Sequence, residues 1–169
     1  MEEIINKVKS SSLIQIDLGD FNPKQEILLF DLKDNLWQGL ALKEKEFRDF
    51  VKKHDWQQYK GKIVAVSCSV DAIVPTWAYM LVVSELHKNN VVGIVGDISS
   101  VKKELIRQKI AEFDTSKMED GKFIVKGCSD IADPAFVMTE LTKKLLPIAS
   151  SIMYGEPCST VPVYKKPRK

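Results

Sequence analysis

From Lys62 onward, hydrophobic positions fall into short apolar runs separated by longer amphipathic stretches. "KIVAVS" (62–67), "VVGIV" (91–95) and "KFIVKG" (122–127) are nearly continuous apolar runs of strand length, the pattern of strands buried on both faces. The stretches between and after them are helical. "VPTWAYMLVVSELHKN" has a proline in its first turn and an asparagine at its end. "SSVKKELIRQKIAEF" has a serine cap, with Leu105, Ile106 and Ile110 at helical spacing. "PAFVMTELTKKLLPIASSIM" reads as one long helix, bent or restarted at Pro147. Strands and helices alternating in this way predict parallel pairing through right-handed crossovers.

The first sixty residues are less periodic. Residues 2–9 have helical character, and "SLIQIDLGDFNP" alternates as a strand before a turn at Asn22-Pro23. "EILLFDL" (26–32) is a second strand, and "NLWQGLAL" (35–42) a third, with Gly39 marking a bend. "EKEFRDFVKKHDW" sets Phe47, Phe50 and Val51 on one face of a helix that ends near His54. The fold class expected is therefore α/β. It is a single domain over 1–169, with a mainly parallel sheet from three β-α units preceded by an N-terminal strand pair or hairpin. Residues 155–169 form a packed C-terminal tail ending in the basic segment "KKPRK".

Composition narrows the function. The chain has 169 residues, 44% hydrophobic and 28% charged, as expected of a globular protein with a real core. Lysine plus arginine number 25 against 23 acidic residues, so no large positive field exists to attract nucleic acid. "MEEIINKVKSSS" lacks the apolar core of a signal peptide, and no apolar run approaches the roughly 18 residues of a membrane span. A cytoplasmic protein, with no membrane or nucleic-acid partner, is the expectation. Three cysteines, an odd number, fit reduced thiols better than a disulfide framework.

The thiols carry the candidate chemistry. "GKIVAVSCS" and "GKFIVKGCS" place Cys68 and Cys128 just past strands, at the edge where parallel sheets collect ligands. Asp97, after "GIVG", reaches the corresponding position. Cys158 lies in the proline-punctuated "GEPCSTVPVY", and all three cysteines precede a serine. Three thiolates suit zinc or an iron–sulfur cluster, with Asp71, Asp97 or His54 as candidates for a further ligand. Two other readings stay open. One thiol could be a nucleophile or persulfide acceptor, or all three could be small buried hydrophobes in a non-catalytic interaction module. His54 also suits a cation at a helix C-terminus. His87 reads as a surface residue, and Trp77 and Tyr79 as core or pocket wall. The glycines of "GIVGD" lack the flanking pattern of a dinucleotide site.

"LWQGLALKEKEFR", "HDW", "CSVDAIVPTWAYML", "KGCS" and "SIMYGEPCSTVPVY" together resemble a bacterial family catalogued as domain of unknown function 2480. The resemblance covers essentially the whole chain. It implies no established activity and no catalytic residues. It does imply a gene neighbourhood near the sulfur-mobilisation machinery of iron–sulfur cluster assembly, and hence assembly proteins as partners.

Overall fold

In the computed structural model, residues 13–127, 131–156 and 158–167 are described. The chain is mixed α/β, with two mostly parallel sheets. It divides into two compact units, 23–104 and 1–22 with 105–169. Each has its own hydrophobic cluster. The amino-terminal helix expected at 2–9 lies outside the described residues.

Residues 23–104 build a three-stranded parallel sheet from β1 (Ile27–Asp31), β2 (Ile63–Ser67) and β3 (Val92–Val95), in that spatial order. β2 is central, and Ile63, Val64, Ala65 and Val66 are all buried. Helix α1 (Glu44–Lys53) precedes it, with glutamates in its first turn and lysines in its last, matching the helix dipole. Its apolar face buries Phe47 and Val51. Helix α2 (Thr76–Lys88) begins after Pro75 and ends at Asn89, with Asn90 in the left-handed region. Ala78, Val82 and Leu86, at helical spacing, are fully buried in the same cluster.

The expected strand at 35–42 is absent as such. Gln38 and Gly39 both take positive φ in a tight turn, leaving isolated bridges of Ala41 to Trp37 and Ile73.

Helix α3 (Ile98–Glu112) leads from the first unit into the second. The second unit holds a four-stranded sheet. Its members are β4 (Leu13–Asp17, first in the chain), β5 (Gly121–Lys126), β6 (Ala149–Glu156) and β7 (Ser159–Lys165), in that order. β4, β5 and β6 are parallel, and β7 returns antiparallel as an edge. Helix α4 (Pro134–Leu145) starts at Asp133, whose carboxylate accepts the Phe136 N–H, with proline in the first turn. Val137, Leu141 and Leu145 bury its face beside Phe123, Val125 and Ile152.

Two expectations change here. The long helix across Pro147 stops at Leu145, and residues 149–156 are a strand. Proline lacks the N–H a helix needs, and "ASSIMYGE" pairs on both sides, burying Ala149 and Ile152. The N-terminal strand pair is not a pair: the strand at 13–17 joins β5, and that at 27–31 joins β2. Within the tail expected at 155–169, residues 155–156 end β6 and 159–165 form β7, an edge strand that accommodates Pro162.

Candidate functional site

All strands of the three-stranded sheet point the same way, so their carboxyl ends share one edge. Asp31 ends β1 opposite Ser67 of β2, and Cys68 follows Ser67. Cys68 is half-buried against the cluster and its thiol donates to the Val70 carbonyl at 3.4 Å.

Asp31 was not among the expected site residues, yet it organises this edge. Its side chain is only 7% exposed. One carboxylate oxygen accepts the backbone N–H groups of Lys33 and Ser69, each at 3.0 Å. The other is buried with no hydrogen bond, 3.3 Å from the Lys33 ammonium. Burial alone would raise its pKa, but hydrogen bonds from Ser69 and Lys33 outweigh this and hold it at about 2. An ionised carboxylate therefore fixes the residue that follows Cys68. Tyr79, expected as core or pocket wall, is partly buried against the same cluster from α2. Burial first, then negative charge at Cys68 and Asp31, push its phenol above the ordinary value. The signal for Asp31 was present: it ends "EILLFD" as Asp97 ends "GIVGD".

The other expected residues of this unit have local partners. Asp97 accepts the Ser100 N–H at 2.7 Å, capping the first turn of α3, and hydrogen bonds from Ser100 depress its pKa. That cap was expected from serine. Asp71 is exposed in the loop after Cys68. His54 follows α1 in a nest of Phe30, Phe50, Trp56 and Tyr59. Its Nε2 lies 3.1 Å from the Tyr59 hydroxyl and 3.2 Å from Gln58 Nε2. Burial lowers its pKa, with the charge of Asp55 opposing. His87 is exposed in the last turn of α2, and Trp77 packs against the core with Phe47.

In the second unit, β5 and β6 bring their carboxyl ends together, with Val125 opposite Tyr154. Lys126 and Glu156 pair across them at 3.9 Å. Beyond Glu156 the chain reverses into β7, and Cys158 is exposed at this hairpin tip. At the end of β5, a Cβ on Gly127 would lie 2.3 Å from the Tyr154 ring, so only glycine lets that ring lie over the strand. Cys128 follows Gly127 and lies outside the described residues. Among the described residues, no three histidine, cysteine, aspartate or glutamate side chains form a group that could hold a metal ion. No helix among them is long and apolar enough to cross a membrane.

No curated protein and no solved structure matches the chain. The family described as Protein of unknown function (DUF2480) matches residues 2–166, nearly the full length, and the chain belongs to that family.

Proposed function

We propose that the protein binds a soft metal ion or an iron–sulfur cluster through thiolates, as an accessory to cluster assembly. Its donors would start from Cys158 and Cys128. One observation carries this reading: Cys158 is exposed at the tip of the β6–β7 hairpin, two residues beyond Glu156, which pairs with Lys126 at the end of β5. Cys128 follows Gly127 in the chain, lies outside the described residues, and enters the reading from the sequence. Thiolates are the donors that zinc and iron–sulfur clusters select. Two are half of a tetrahedral set. Cys68, the third donor expected from the sequence, belongs to the other unit and enters this reading through experiment alone.

The test is iron, zinc and acid-labile sulfide content, with the absorption spectrum, of protein purified without oxygen. Wild type should carry metal, and Cys128→Ser and Cys158→Ser should each lower it at least about fivefold, since each removes a first ligand. The same assay on Cys68→Ser decides whether that thiol takes part. Metal-free wild type, or content unaffected by both substitutions, sinks the reading.

The exposure of Cys158 favours a second reading, persulfide transfer. Its thiolate would attack the outer sulfur of a donor persulfide, forming a new S–S bond as the donor thiolate leaves. Mass spectrometry after incubation with a persulfide donor should then show one added sulfur on Cys158, absent from Cys158→Ser.

A further inference from the structure

Helix α4 and strands β5, β6 and β7 form an apolar hollow of about 390 Å³, lined by Val125, Met138, Ile152, Tyr154, Val161 and Val163. It lies wholly within the unit that contains the four-stranded sheet. Thr139, Thr142 and Lys143, from successive turns of α4, supply its polar groups. Val161 is 60% exposed and Val163 54% exposed, two β-branched side chains left open to solvent on an edge strand. Edge strands ordinarily carry charge or polarity there, so the pattern calls for an occupant.

Three features select a small molecule over a protein strand. The volume falls near the lower end of small-molecule sites, roughly 300–1,000 Å³. Pro162, between the two valines, removes a backbone donor from β7 and weakens that edge as a template for strand addition. The polar groups gather along one helix rather than around the rim. Of the three donors on the Lys143 ammonium, one reaches Glu140 at 2.7 Å, and Glu140 also pairs with Arg107 at 3.6 Å. Lys143 is largely exposed, so its pairing is weak and a second carboxylate can share the cation.

We infer that this hollow binds a small amphipathic carboxylate, with an apolar chain among Val125, Met138, Ile152, Val161 and Val163 and its anionic end at Lys143. The inference is independent of the thiol reading.

Titration calorimetry with octanoate and with octanol, which share a chain and differ in the head group, tests it. Octanoate should bind wild type saturably and more tightly than octanol. Val161→Glu, a change at an exposed position, should weaken octanoate by about tenfold or more, because it sets a like charge and a polar group in the lining. Lys143→Gln should weaken octanoate by about fivefold while leaving octanol within about twofold. Thermal unfolding of both variants without ligand establishes that they are folded. No saturable octanoate binding by wild type, or unchanged binding by folded Val161→Glu, overturns the site. Equal loss of both ligands in Lys143→Gln overturns the carboxylate assignment. A wild-type dimer in sedimentation that Val161→Glu dissociates overturns the small-molecule occupant in favour of a second copy.

Discussion

At the scale of single residues, Asp31 makes the clearest statement about pH. Its folded pKa, about 2, lies below the unfolded value of 3.8, so ionisation stabilises the fold. That contribution is fully present above about pH 4 and is lost as pH falls through about 2. The difference corresponds to about 2 kcal/mol. Urea unfolding of Asp31→Asn should therefore show a loss of about 2 kcal/mol at pH 7, shrinking toward zero near pH 2; a loss independent of pH would show that the charge is irrelevant. Gly127 offers a second test. Adding a Cβ there meets the far end of the part-exposed Tyr154 ring, which has to swing aside, so Gly127→Ala should cost about 1 kcal/mol or less. In the double variant with Tyr154→Ala most of that penalty should vanish, a coupling that a thermodynamic cycle measures directly. The role of Asp31 escaped sequence reading because, although Lys33 is a local partner two residues on, Ser69 lies 38 residues away and is brought to it by folding.

At the scale of elements, local pattern was legible where one face is apolar. The amphipathic helix around Phe47 and Val51, the helix bounded by Pro75 and Asn89, and the strands at 63–67 and 121–126 all appear close to where periodicity put them. Phe47 is almost completely buried, so Phe47→Ala should cost about 3–5 kcal/mol in chemical unfolding, while Lys45→Ala on the exposed face should stay within about 0.5 kcal/mol. Equal effects would mean that α1 is not held by that face. Legibility failed at Pro147. "IASSIM" has apolar residues compatible with either period, and its decision for strand comes from backbone pairing with both β5 and β7. The turn at Gln38-Gly39 is the same lesson on a smaller scale, since two positive φ values end the pairing that the apolar run suggested.

At the scale of the whole molecule, sheet membership matters most. Two strands only ten residues apart enter different sheets, and one of them finds its partner about a hundred residues downstream. The thiols follow this division: Cys68 stands in one unit and Cys158 in the other. The metal-content comparison of the three cysteine-to-serine variants thus treats Cys68 separately from Cys128 and Cys158. Hydrophobic periodicity by itself determined the α/β class, most helices and strands, and the position of Cys68 past a strand, because these depend on neighbours a few residues away. Only tertiary structure decided the partition into two sheets, the strand at 149–156, the buried carboxylate of Asp31 and the apolar hollow beside α4. Each of those requires atoms from distant parts of the chain to meet, and a pattern with a period of two or 3.6 residues carries no record of such meetings.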